Sequence, residues 1–389
     1  MTQEAAFSLL LIALSAFLSP IIFRRIGVPA AVGEIVLGII LGNLGLVSGT
    51  EFVDFLAQLG LILLMFMAGY EIDFEAIESE GPRGILPSLF TVALIFGICG
   101  FASWYFKLSP VLFLVMSAMS IGLGAALLKE MGLSRARAGQ AFLLVGSIGE
   151  LATIVILSSV LFYNRFGLSL SLVYSLSGLI VIFIAAYLVL IVLRGFVWWF
   201  PETLVRLAEA YDSSEIGVRA GLALAFVFVG IAAIFGIEPL LGAFIAGGLF
   251  GFVFRDKESV EPRFSAIGYG FLIPIFFINV GVHFRLAPLF QHVDGFYLLG
   301  IIGGIVILSR LLASPILVLK RLSFREATGV GFLMAAPLSL QVVAGDLGLR
   351  VGAIDKGTFG IIVLSAMSLG LVGPIMGRLL LRKRKDRSP

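Results

Sequence analysis

Residues Met116–Gly132 read MSAMSIGLGAALLKEMG, an apolar stretch with Ser117, Ser120, Gly122 and Gly124 gathered in its middle. Residues Leu333–Gly348 read LMAAPLSLQVVAGDLG, with Pro337 near the centre and Ser339 and Gln341 just after it. Proline removes a backbone donor and clashes with the preceding turn. Glycine and serine let backbone open or a neighbour approach closely. In water these would be ordinary loop signals. Inside a bilayer a broken helix leaves backbone groups that no solvent can satisfy, so it persists only where protein or a cavity surrounds it.

The composition places both stretches in a bilayer. Of 389 residues 60% are hydrophobic and 13% are charged, about half the share usual in soluble domains. Mean hydropathy is +1.11. These values exclude a soluble enzyme, a disordered chain and a nucleic-acid binder. The single cysteine, Cys99, excludes a disulfide framework, and His283 and His292 leave little for a histidine metal site. The apolar runs are continuous, which favours helices over an alternating barrel. About thirteen are long enough to span: 5–22, 28–48, 52–70, 84–105, 110–129, 137–163, 168–199, 214–235, 239–254, 263–283, 295–319, 326–345 and 356–381. A short amphipathic helix or a plain loop is expected over Phe200–Arg219, joining two halves, and Arg382–Pro389 forms a basic tail.

Lysine and arginine give the orientation. Meeting the chain in this order, 21 of the 27 fall in connections on one side, five on the other, and Arg310 lies inside a span. The richer side is expected to be cytoplasmic, which puts the N-terminus outside and the C-terminus inside a plasma membrane, with lipid as the solvent. The first span follows no positive segment, so it reads as an anchor and not as a cleaved signal.

Charges at membrane depth are expensive and usually functional. Glu150, in LVGSIGELATIV (Leu144–Val155), and Arg310, in IVILSRLLASP (Ile305–Pro315), each lie roughly 20 Å along their spans. Glu34, close to the start of its span, reads as an interfacial or capping carboxylate. Each interrupted stretch neighbours a charged span, the first just before Glu150, the second just after Arg310. Paired interruptions in two halves point to a transporter built from inverted repeats. The expected fold is an all-α integral membrane protein with two crossed, partly unwound helices.

With VPAAVGEIVLGIILGNLGL (Val28–Leu46), LGLILLMFMAGYEIDF (Leu59–Phe74), EPLLGAFIAGGLFG (Glu238–Gly251) and FLIPIFFINVGVHF (Phe271–Phe284), the chain resembles bacterial cation:proton antiporters of the Kef and NapA type. The resemblance implies an NhaA/NapA-like fold and a homodimer, in which helices about 84–163 and 295–381 form a core and helices about 5–48 and 168–254 a dimerisation scaffold. It puts Glu150 at the ion-binding aspartate, Arg310 at the embedded cation, and Ser117–Gly124 and Ala336–Gln341 on the crossed helices. Four departures stand out: Gly149 replaces an amide or second acid, Glu150 is one methylene longer than aspartate, the hydroxyl pair typical of the first crossed helix is not obvious, and Leu338, Ser339 and Leu340 replace Arg-Gly-Glu. The soluble nucleotide-binding domain of Kef proteins is not expected, although a separate regulatory subunit is compatible with the chain.

One carboxylate that takes either a proton or an alkali cation suffices for exchange. Glu150 is expected to bind both, with Ser147, Ser117 and Ser120 as oxygen ligands and Arg310 as its charge partner. Gly122, Gly124, Pro337, Ser339 and Gln341 would shape the crossing. No cofactor is called for beyond the transported proton and Na⁺ or K⁺. Two alternatives remain: a crossed-helix symporter of an organic anion, and a non-transporting scaffold with a degenerate site.

Overall fold

The computed structural model describes residues 3–166, apart from 26–27, 48–49 and 73, and residues 216–382, apart from 236–237, 254–256 and 285–292. Of 167–215 it describes Ile184, Leu188 and Ile191. The described residues are helical throughout their regular structure. In order they form α1 (Gln3–Arg25), α2 (Ala30–Asn43), α3 (Glu51–Tyr70), α4 (Phe74–Tyr105), α5 (Pro110–Ser117), α6 (Gly122–Glu130) and α7 (Arg137–Phe166). Then come α8 (Ile216–Ile234), α9 (Pro239–Val253), α10 (Lys257–Ile267), α11 (Ile273–His283) and α12 (Val293–Ala313). The chain closes with α13 (Phe324–Met334), α14 (Leu338–Arg350) and α15 (Lys356–Leu381).

Among the described residues ten helices are long and apolar enough to cross a membrane, and α2 and Pro239–Phe252 are shorter apolar helices. Twelve of the thirteen expected spans therefore have a helical counterpart. The expected span at 168–199 and most of the Phe200–Arg219 connection lie outside the described residues.

Local chemistry sets the helix ends. Ser109 caps α5, accepting the Leu112 N–H at 3.3 Å, and Pro110 occupies the first helical position, where its missing donor costs nothing. Ser323 and Glu326 form a reciprocal capping box at α13. Asp355 caps α15 through the Thr358 N–H at 2.8 Å.

The chain divides into two compact units. Unit 1 comprises 1–18, 46–72 and 161–279. Its α3 and α9 pack with backbones almost touching: a Cβ on Gly247 would lie 1.9 Å from the Phe66 carbonyl oxygen. Small residues provide this close approach where no hydrophobic force separates helix from lipid. Phe66, Tyr70, Phe250 and Phe264 form an aromatic cluster beside it.

Unit 2 comprises 19–45, 73–160 and 280–389 and contains every residue proposed for the site. Here α2 lies against the end of α11, with the Asn43 side-chain amide donating to the Phe284 carbonyl at 2.9 Å. Glu34 is buried by the protein here, 5% exposed, which its distance from the span end did not show. Its turn is covered by neighbouring helices, and that cannot be read from depth alone.

Gly247→Ala should therefore strain α3 against α9 and cost about 1–3 kcal/mol, the usual range for overpacking. Thermal unfolding in detergent should show a lower midpoint for this variant than for Gly300→Ala, where a Cβ meets open space. Equal midpoints would rule out the tight packing.

Candidate ion site

Both interrupted stretches are broken helices. The first span stops at Ser117, runs without regular structure through 118–121 and resumes at Gly122. The second stops at Met334 and resumes at Leu338, with Pro337 preceding the new helix. The breaks meet: the Ser120 and Ser339 hydroxyls are 2.9 Å apart. In the second break the Ala335 N–H still reaches back to Gly331 and Phe332, and the Gln341 N–H donates to the Pro337 carbonyl at 2.9 Å.

A break of this kind exposes the carbonyls of one helix end and the N–H groups of the next. In the first break each set finds side chains. Arg310 on α12 is 0% exposed and reaches the end of α5. Its Nη1 donates to the Met116 carbonyl at 2.5 Å and to Ser309 Oγ at 2.9 Å, and its Nη2 donates to the Ala118 carbonyl at 2.6 Å. On the opposite side, Thr153 Oγ1 accepts the Met119 N–H at 3.2 Å while donating to the Gly149 carbonyl at 2.7 Å. Glu150 Oε2 faces the Ile121 N–H at 3.4 Å. Ile121 caps α6. The guanidinium therefore meets the negative end of one half-helix and the carboxylate the positive end of the other, as the helix dipoles favour.

Arg310, the charge partner expected for Glu150, has both terminal nitrogens on the carbonyls of the break. Left without a donor in a dry interior, these carbonyls would each carry a desolvation cost. The two charges are linked through the backbone between them.

One face of α7 serves the break. Gly146, Gly149, Glu150 and Thr153 fall at i, i+3, i+4 and i+7 and so share it. A Cβ on Gly149 would lie 2.2 Å from Met119 Sδ. That explains the glycine before Glu150: Met119 fills the space a side chain would take. Thr153 and Met119 escaped the sequence reading. The available signal was Thr153 three residues after Glu150, on the same helical face.

The other expected residues are placed as follows. Ser147 is 3% exposed, one turn before Glu150, and its hydroxyl has no hydrogen-bond partner among the described residues. Ser117 is buried and donates back to the Leu114 carbonyl at 3.2 Å. Gly122 opens α6, and Gly124 packs under Phe142, whose ring a Cβ would meet at 2.2 Å. Gln341 is 0% exposed on the first turn of α14. Among the described residues no cluster of three Asp, Glu, His or Cys side chains is placed to hold a metal. Any cation chemistry here rests on one carboxylate and neutral oxygens.

The model of the family described as "Sodium/hydrogen exchanger, transmembrane" matches residues 13–383. The chain belongs to this sodium/hydrogen exchanger family. It is 29% identical over 413 residues to a putative Na⁺/H⁺ antiporter, YjbQ, of Bacillus subtilis, covering 99% of this chain and 65% of that relative. It is 28% identical over 373 residues to probable Na⁺/H⁺ antiporter 3 of Methanocaldococcus jannaschii, covering 92% of each. The family fold is also that of the solved sodium proton antiporter MjNhaP1 of M. jannaschii, with a TM-score of 0.61 over 98% of this chain and 99% of that one, at 16% identity.

Restoring a larger residue beside Glu150 tests the packing. Gly149→Asn should lower the unfolding midpoint through its clash with Met119, and adding Met119→Ala should recover most of the loss. The double-mutant coupling should fall between about 0.5 and 3 kcal/mol, the range for residues in contact. Additive effects would mean that Met119 does not fill the space.

Proposed function

We propose that this exchanger-family member is a secondary active transporter, not an enzyme, which trades Na⁺ or K⁺ for protons by alternating access. Glu150 carries both ligands. The observation that bears most weight is its position: a carboxylate 1% exposed, facing the N-terminal end of a half-helix inside a membrane-spanning bundle. Half-helix ends at the bilayer midplane are where transporters of this architecture place ions. Ser147 and Ser120, with backbone carbonyls freed by the break, supply neutral oxygens for a desolvated alkali ion. The proton and the cation each neutralise Glu150, so binding of one excludes the other.

Arg310 stays charged throughout, because a guanidinium does not release its proton in this range. Its part is to hold the end of α5, not to carry a proton. The same commitment counts against organic-anion symport: a carboxylate substrate needs a cationic partner, and both terminal nitrogens of Arg310 are occupied by carbonyls.

The arrangement in the cell follows from charge and family. The chain sits in the plasma membrane, N-terminus outside and C-terminus in the cytoplasm, on the strength of its lysine and arginine bias. Unit 2, which contains the breaks, acts as the transporting core. Unit 1 acts as the scaffold and as the surface of a homodimer.

Acid-loaded proteoliposomes, given Li⁺, Na⁺, K⁺ or Rb⁺ outside while internal pH is recorded, test the proposal. The wild type should alkalinise with at least one of them. Glu150→Gln should abolish this while the protein elutes as a folded species, since the amide oxygen still faces the Ile121 N–H. Wild-type rates in that variant would remove Glu150 from the site. Absence of cation-driven proton movement in the wild type would favour the non-transporting scaffold.

A further inference from the structure

Gln341 is the largest polar side chain at the crossing that the proposed exchange leaves unused. It is 0% exposed, and neither its amide oxygen nor its amide nitrogen has a hydrogen-bond partner among the described residues. Other groups at the breaks are bonded, Ser339 to Ser120, Thr153 to the backbone on both sides and Arg310 to two carbonyls, whereas the Ser147 hydroxyl, like Gln341, has no partner among the described residues. Buried amides are rarely left without partners, and one that is calls for an account.

Its depth is fixed by two contacts. Ser339 meets Ser120, and a Cβ on Gly348 would lie 2.6 Å from Val111. These contacts are the same number of residues apart on both segments and run in opposite directions. α14 therefore passes antiparallel to α5 and the break, and Gln341 follows by two residues the Ser339 that meets Ser120 in the break. An unsatisfied amide thus stands within one turn of the point where the two breaks meet.

We infer that Gln341 is a specificity-determining cation ligand, contributed by the second broken helix to the ion that Glu150 binds from the first. This rests on the exchange proposed above. Its chemistry suits the task. The amide Oε1 is a hard, neutral oxygen, so it coordinates a desolvated alkali cation without adding a second exchangeable charge. A proton on Glu150 needs no such ligand. Gln341 therefore acts on the cation half of the cycle alone.

The test is the half-saturating concentration of Li⁺, Na⁺ and K⁺ for proton movement in proteoliposomes of wild type, Gln341→Leu and Gln341→Asn. Leucine keeps the bulk and removes the oxygen; asparagine keeps the oxygen and shortens its reach. Gln341→Leu should raise the half-saturating concentration of the preferred cation about tenfold, the equivalent of one lost contact of hydrogen-bond strength. The rise should differ between cations, and the pH of half-maximal exchange at saturating cation should stay unchanged. Gln341→Asn should still transport, with an altered order of preference. Unchanged half-saturation and preference in Gln341→Leu would overturn the assignment, whatever its maximal rate. If that variant does not assemble, an unchanged order of preference in Gln341→Asn overturns it equally. Exchange that persists in the wild type and vanishes in Glu150→Gln, with no change in either Gln341 variant, would sink this assignment and leave the exchanger standing. A wild type without cation-driven proton movement would overturn both.

Discussion

A helix cut open inside a membrane must have its ends satisfied by protein, since lipid offers no hydrogen bonds. The rest of unit 2 follows from that constraint. The carbonyls of Met116 and Ala118 take the Arg310 guanidinium, and the N–H groups of Met119 and Ile121 turn to Thr153 and Glu150. To bring these groups to the break, α7 must approach it closely, and Gly146 and Gly149 leave room for Ile121 and Met119. Two deeply buried charged side chains thus meet opposite ends of one short unwound segment.

The division of labour matters for mechanism. A guanidinium fixed to two carbonyls is a structural cation with a constant charge. Removing it would leave orphaned acceptors, each costing about 1–3 kcal/mol, as well as altering the electrostatics. The carboxylate is different in kind: in the proposed exchange it trades one positive ligand for another without disturbing the arginine. On the proposed mechanism the carboxylate titrates against a background that does not move.

Much of this was legible in the sequence, and the reasons are physical. A proline or a cluster of small residues inside an apolar run marks a break, and an acid and a base at midspan mark expensive positions. Those signals placed Glu150, Arg310, Ser120, Ser339 and both interruptions before any coordinates. What Arg310 binds was not legible: sequence pairs opposite charges, whereas its partners are backbone carbonyls that carry no residue label. Thr153 looked like any hydroxyl on a helix until the Met119 N–H was placed beside it. The burial of Glu34 was hidden for a related reason: counting residues from a span end gives depth, not the neighbours that cover a side chain. Gly149 looked like a departure from the family and turned out to be the space that Met119 occupies.

Single-carboxylate exchange makes a demand on energetics that no rate measurement covers. If one proton and one monovalent cation alternate on Glu150 while Arg310 stays charged, no net charge crosses the membrane. The direct measurement is the ion gradient at which proton flux stops, taken at two clamped voltages in proteoliposomes. The stopping gradient should be the same at both. One uncompensated charge would instead shift the balance by roughly 2.3 kcal/mol per 100 mV. A shift of that size would contradict a single titrating carboxylate and turn attention to the buried Glu34.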